Sequence, residues 1–149
     1  MRITLLLCAF LLINGFNQLY GQGLRDFKKK TESNAKERTQ MLDLLRNDIK
    51  NDIEQDVVFV VEHFKVFGSY AWMEGTVQRK DGQELYFTHD AYSCCHVEAL
   101  FKKVNGNWVM KVNGAFSTDV WYSCIISEYP DINKQIFSET VLNVQEGCN

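Results

Sequence analysis

Residues 97–112 read VEALFKKVNGNWVMKV. Two strand-like runs flank Asn105-Gly106. Asn-Gly is the dipeptide best suited to a type I′ turn, which needs positive φ at both central residues and whose twist matches that of the strands it joins. The stretch therefore predicts a hairpin with arms over 97–104 and 107–116. In the second arm Trp108, Met110 and Val112 alternate with Val109, Lys111 and Asn113, the period of two that belongs to a sheet with unequal faces. The pairing it commits the chain to is antiparallel.

Working upstream, the run Val57–Val61 is β-branched and aromatic, and the pattern continues through Phe64, Val66 and Phe67 to a break at Gly68-Ser69. Tyr70–Arg79 reads as a second strand, ended by Lys80-Asp81-Gly82, and Gln83–Thr88 reads as a third. Before them Met41, Leu42, Leu45, Ile49 and Ile53 recur at steps of three and four. That spacing predicts an amphipathic helix over 34–54 which must bury one stripe. Asn34 with Glu37 imitates a capping box at its start. The charged residues 23–33 read as a solvated lead-in. Downstream of the hairpin, Ser117-Thr118-Asp119 offers side-chain acceptors to the first turn of a short helix through Val120, Trp121, Ile125 and Ile126, which Pro130 ends. Asp131–Phe137 accommodates one further turn, and 139–149 reads as a tail. A helix, several antiparallel strands and a short helix make an α+β domain.

The N-terminus carries a different signal. Arg2 precedes an apolar run from Ile3 to Ile13, followed by small and polar residues to Gln22. This is the layout of a secretory leader cut at Gly21 or Gln22, and the run is short of the roughly 20 residues a membrane span needs. Cys8 lies inside the apolar run after Leu7, where a lipoprotein would have a small residue, so it reads as leader filler. The expected product is an exported chain, periplasmic or extracellular, with no stable membrane anchor and one domain over 23–149 whose core spans about 34–138. The full chain carries a net charge of −3, one unit more negative once Arg2 leaves with the leader. A mildly acidic surface argues against nucleic acid as a partner. With 13% aromatic residues and one proline, the composition is that of a folded domain.

The order of elements resembles the NTF2-like (cystatin-like) superfamily. More narrowly it is similar to small secreted bacterial proteins of that fold. The residues that carry the likeness are Arg38, Leu42, Leu45 and Arg46 in the helix; VVFVVEHFKVFGSYAW from Val57; ALFKKVNGNWVMKV from Ala99; STDVWY from Ser117; and SEYPDINKQIF from Ser127. The likeness covers about 36–138. Ile132–Ile136 is longer than the usual spacing after the proline, and the cysteines stand outside the pattern. The resemblance implies a strongly bent sheet wrapping the helix, with a cavity between them that in some members binds a small molecule. The superfamily includes isomerases, dehydratases and polyketide cyclases as well as modules that only bind.

Beyond the leader lie Cys94, Cys95, Cys124 and Cys148. An even number in an exported chain reads as disulfides. Adjacent cysteines close a very tight ring, which favours one of Cys94 and Cys95 bonded to Cys124 and the other to Cys148. A metal reading would use Cys94, Cys95 and His96 with His89 or Cys124, but neighbours on a strand diverge and no spaced pair of ligands is present. No metal and no cofactor is therefore expected.

No catalytic set is assigned. Glu62 and His63 are strand neighbours that face opposite ways. His89-Asp90 is a loop pair of the kind a general base needs, but it stands alone. Asp119 reads first as a helix cap and second as a polar group at a cavity mouth, opposite Arg46. Tyr70, Trp72 and Tyr92 can line a cavity with Arg46 and Asp119. The expectation is a non-catalytic binding module for a small molecule or a protein, with self-association through the sheet face as an option. The alternative is an isomerase or dehydratase that uses an Asp or His of the cavity as its base.

Overall fold

The computed structural model describes residues 23–87, 92–145 and 148. The leader with its cleavage site, and the pair His89-Asp90, lie outside them.

The hairpin forms as its turn residues predict. Strands β1 (Arg25–Asp26), β2 (Val57–Phe67), β3 (Tyr70–Arg79), β4 (His96–Val104) and β5 (Asn107–Asn113) pair antiparallel in chain order. Between β4 and β5, Asn105 and Gly106 take φ of 50° and 82°, the left-handed values of a type I′ turn. Gly68, at φ 56°, turns β2 into β3. Helix α1 (Ala35–Ile53) follows β1.

Helix α1 lays Met41, Leu42, Leu45 and Ile49 on one face of the sheet, against Ala71, Met73, Val97, Ala99 and Phe101. Each large side chain removed from water in this way contributes about 1.5–3 kcal/mol before entropy is counted. The other face is covered as well. Beyond β5 come a 3₁₀ turn (Trp121–Cys124), helix α2 (Ile125–Glu128), a second 3₁₀ turn (Lys134–Ile136) and helix α3 (Glu139–Asn143). They set Ile125, Ile132, Ile136, Phe137 and Val141 on Tyr70, Trp72 and Leu100. The Trp72 and Phe137 rings meet edge to face at 5.2 Å, a geometry that aligns the positive ring edge with the negative ring face.

Several expectations are corrected. The sheet is not strongly curled around α1. Strong curvature needs repeated bulges and glycine kinks, and the ladders show one irregularity in β2–β3, between Val61 and His63, and one in β4–β5, between Leu100 and Phe101. Filling of the far face by the C-terminal segment leaves the sheet to be sandwiched rather than wrapped. The core also outruns 34–138, since Phe27 is buried in the solvated lead-in and Val141 in the tail. Arg25 and Lys103 both pair with Glu37 and tie β1, β4 and α1 together. Burial opposes the charge on Glu37, but these two cations outweigh it and hold the carboxyl below its ordinary value. Asn34 does not cap α1 through its side chain. It closes the preceding turn, accepting from the Thr31 N–H and donating to the Lys29 carbonyl, both at 2.9 Å.

Gln83–Thr88 does not form a strand: 83–87 is a loop, and Thr88 lies outside the described residues. Gln55, 5% exposed, supplies the two bonds that a neighbouring strand would have offered. Its amide donates to the Tyr86 carbonyl at 2.7 Å and accepts from the Tyr86 N–H at 3.2 Å. Truncation to Gln55→Ala leaves two backbone groups unpaired, and unmade bonds of this kind cost about 1–3 kcal/mol. The expected result is a lower urea midpoint together with faster hydrogen exchange at Tyr86.

Candidate functional site

The sequence-derived pocket residues divide between the two faces of the sheet. Tyr70 and Trp72 lie on the face covered by the C-terminal segment, where Lys102 Nζ sits 4.8 Å from the Tyr70 ring. Tyr92 packs on the α1 side against Phe87 and Phe116. Its hydroxyl donates to the Asp52 carboxylate at 2.9 Å. Arg46 lies 5.5 Å from the Phe59 ring, donates to the Val57 carbonyl and pairs with Asp43. Asp119 is exposed and caps no helix. Its backbone N–H takes the Ser117 hydroxyl oxygen as acceptor at 3.1 Å. These five do not line one cavity.

The β2 irregularity also ends the strict alternation of Glu62 and His63. Val61 is in register with Gly75 and His63 with Glu74, so Glu62 is the extra residue. Glu62 accepts from the Thr76 hydroxyl at 3.1 Å, and His63 Nε2 donates to the Ile136 carbonyl at 2.7 Å.

What the register does assemble is a pair of carboxylates. Glu74 and Glu98 are direct partners across β3 and β4, on the face opposite α1. Each receives an indole N–H: Trp72 donates to Glu74 at 2.6 Å, and Trp121 donates to Glu98 at 3.4 Å. His96 Nε2 lies 4.0 Å from Glu98, whose side chain is only 12% exposed. Burial raises the Glu98 carboxyl above its ordinary 4.5 and Glu74 adds to the effect, while His96 and the Trp121 N–H act against it. Gly114 makes the Trp121 contact feasible, because a Cβ there would collide with the indole nitrogen. Glu98 and His96 open onto a cleft of about 280 Å³ whose rim includes Ser93, Ser117, Asp119 and Tyr122.

A second and larger cleft, about 700 Å³, lies at the far end of β3. Val77, Leu85 and Phe87 give it an apolar wall, Arg79 stands at its edge, and Cys94 with Cys95 forms one side.

The cysteines are not paired as the tight-ring argument predicted. Cys124 is bonded to Cys148. The cause lies in the C-terminal segment. Gln145 donates to the Tyr122 carbonyl at 2.7 Å and accepts from the Ile126 N–H at 3.1 Å. That clamp folds the chain end back until the Cys124 and Cys148 Cα atoms are 5.4 Å apart, so neither is open to Cys94 or Cys95. Among the described residues no group of three His, Cys, Asp or Glu side chains is placed to hold a metal.

Glu74, Glu98 and Gly114 were missed from sequence because the β3–β4 register spans an intervening loop of irregular chain. Their one local signal is Gly114 itself, an isolated glycine at the end of a strand. No protein-family profile, no curated protein and no solved structure matches this chain.

Two measurements test this site. Folded Glu98 holds its proton to a higher pH than the unfolded chain does. The folded state therefore binds the extra proton between about 4.5 and the raised folded value, and stability falls as pH rises through that window. Glu98→Gln carries no titrating group, so its stability relative to the natural chain is expected to improve across the window. Urea midpoints taken below and above it check the sign. Separately, Gly114→Ala forces Trp121 off Glu98, an overpacking change that costs about 1–3 kcal/mol. It is expected to alter the near-ultraviolet circular dichroism of the tryptophans while the far-ultraviolet spectrum is retained.

Proposed function

We propose that this chain is an exported, non-catalytic binding module whose ligand is a small, largely apolar molecule seated in the cleft beside Cys94 and Cys95. The observation that carries this reading is the cleft: about 700 Å³, with Val77, Leu85 and Phe87 as apolar wall and Gln78, Arg79, Gln83 and Glu84 as its polar and charged lining. Volumes of several hundred Å³ with a few polar groups on an apolar lining are those of small-molecule sites. Export is supported by the leader-like pattern of residues 1–22 and by the Cys124–Cys148 bond, which suits an oxidising compartment. No helix among the described residues is long and apolar enough to cross a membrane. Descent from the NTF2-like superfamily is proposed on element order alone, without the wrapped cone. With both sheet faces carrying packed segments, a second copy or a protein partner would meet the exposed strip of Val58 and Val60 on β2.

The test is titration with 1-anilinonaphthalene-8-sulfonate, an apolar anion. Saturable single-site binding is expected, weakened about tenfold, or 1.4 kcal/mol, by Leu85→Trp, which fills the cleft. Binding that does not saturate, or that ignores the variant, removes the proposal.

A second reading is favoured by one observation, the half-buried Glu98 with its raised carboxyl beside His96. A proton acceptor with a raised value at a cleft is the tool of an isomerase or dehydratase. In that reading Glu98, rather than Asp119 or His89, moves the proton. Turnover of an enolisable carbonyl compound that is lost in Glu98→Gln and kept in Asp119→Ala would establish it over the binding role.

A further inference from the structure

We propose that two copies of this chain pair edge to edge through Val57–Val61 of β2, antiparallel and about a two-fold axis at Phe59. The open edge is read from the hydrogen bonds around it. In an antiparallel ladder the main-chain groups of successive residues turn alternately toward one neighbouring strand and away from it. The Lys80 N–H donates to the Asp56 carbonyl at 2.8 Å, and the Val77 N–H donates to the Cys95 carbonyl at 2.7 Å. Val77 therefore faces β4, and its register partner Phe59 makes no ladder bond to β3. With Asp56 turned inward, Val58 and Val60 turn inward too, while Val57, Phe59 and Val61 carry their N–H and C=O groups outward. Arg46 of α1 fits this alternation by donating to the outward Val57 carbonyl at 3.2 Å, an acceptor that keeps a second lone pair. Among the described residues nothing bonds the Phe59 or Val61 main chain on that side.

Further along β2 the edge is closed. Glu62 is the extra residue of the β2 irregularity. Beyond it β1 takes the outward positions, with the Phe27 N–H on the Phe64 carbonyl at 2.7 Å and Arg25 opposite Val66. The side chains of the open stretch divide between the faces. Val57, Phe59 and Val61 pack into the core on the α1 side. Val58 and Val60 stand on the other face, 37% and 46% exposed. An apolar, uncharged, β-branched edge of this kind is a template for a further strand.

The sequence of the open stretch selects the occupant. Val-Val-Phe-Val-Val reads the same in both directions about Phe59, and the outward positions 57, 59 and 61 are symmetric about it as well. A two-fold interface lays one patch onto itself. Phe59 then meets Phe59 of the second copy, Val57 meets its Val61, and each facing pair exchanges two N–H···O bonds. Val58 falls opposite Val60 of the second copy in the closely spaced pairs, so the exposed valines cover one another. A foreign strand would satisfy the same backbone groups without using the palindrome. At each end Asp56 comes opposite Glu62 of the second copy, a like-charge pair that stops the ladder there. Lys50 holds Asp56, and the Thr76 hydroxyl holds Glu62. The contact is short beside the roughly 20–30 residues a side of a standard interface, so the dimer is of the transient class and forms at high concentration.

Sedimentation and amide hydrogen exchange over a concentration series test the pairing with the full exported protein. The weight-average mass is expected to climb toward twice that of the monomer as the concentration approaches about 1 mM. The Phe59 and Val61 amides are expected to exchange freely in dilute solution and to slow severalfold in concentrated solution, while those of Val58 and Val60, bonded to β3, stay protected in both. Two variants at the exposed valines read the register. Val58→Lys/Val60→Lys sets lysine against lysine across the axis and is expected to abolish the dimer. Val58→Lys/Val60→Glu sets lysine against glutamate and is expected to restore it in a salt-sensitive form. Far-ultraviolet circular dichroism checks that both variants fold. A monomer at every concentration, Phe59 and Val61 amides already slow in dilute solution, or equal behaviour of the two variants overturns the proposal. Growth past the dimer overturns the two-fold axis. Protection of these amides only on adding a strand-forming peptide assigns the edge to another protein and overturns self-pairing. The proposal does not rest on the binding cleft: Leu85→Trp is expected to dimerise like the natural chain, so loss of the cleft reading and loss of this one are separate results.

Discussion

Strand β3 is apolar on both sides at once, and the rest of the molecule is arranged to keep water from it. Ala71 and Met73 face α1, while Tyr70 and Trp72 face the C-terminal segment, and all four are buried. A strand of this kind cannot sit in a sheet with a solvated face. It requires two covering layers, and the chain supplies one from each end. The 19-residue helix α1 precedes the sheet. A broken series of short helical turns follows it, held by the Gln145 clamp and the Cys124–Cys148 bond. Without the second layer Trp72 and Leu100 would stand in water.

The same constraint explains how two carboxylates come to share a half-buried row. The β3–β4 register is dictated by matching Ala71 to Phe101, Trp72 to Leu100 and Met73 to Ala99. Once these are aligned, Glu74 must stand opposite Glu98. Like charges directly across a ladder are unfavourable, and the fold answers with two indole donors and with a proton retained on Glu98 beyond its ordinary range. Apolar packing therefore produces an acid of altered strength next to a cleft. The chemistry of the site is a by-product of register that function can use.

The two clefts differ in kind. The one at Glu98 is small and polar, while the one at the Cys94–Cys95 side is larger and has an apolar wall. Their lining residues come from regions of unlike regularity. Glu98 and His96 belong to a paired strand, whereas Leu85 and Phe87 belong to the irregular chain between β3 and β4. Among the described residues that chain is held by Gln55, by Arg79 over the Tyr86 ring and by the packing of Phe87 on Tyr92 and Phe116. A wall built on loop residues over a fixed sheet suits adjustable binding, and a strand-borne carboxylate suits fixed geometry.

Local chemistry was enough to place helix α1, strands β2 to β4 and both tight turns to within a residue or two, while β5 ends at Asn113, three residues before the expected end of its arm. Helical and strand periods are short-range, and Asn105-Gly106 declares its own turn. The α+β class follows from that order. Placement in space followed different rules. Tyr70, Trp72 and Tyr92 look alike in the sequence yet fall on opposite faces, because Tyr70 and Trp72 belong to β3 while Tyr92 lies in irregular chain that packs on Phe87 and Phe116. Gln83–Phe87 looked like a strand and became a loop, because a buried glutamine took the hydrogen bonds that a strand partner would have made. The cysteine pairing turned on Gln145 folding the chain end back on Tyr122 and Ile126, a contact with no local signature. Elements depend on residues a few positions apart, whereas faces, partners and clefts depend on residues tens of positions apart, and only the folded chain brings those together.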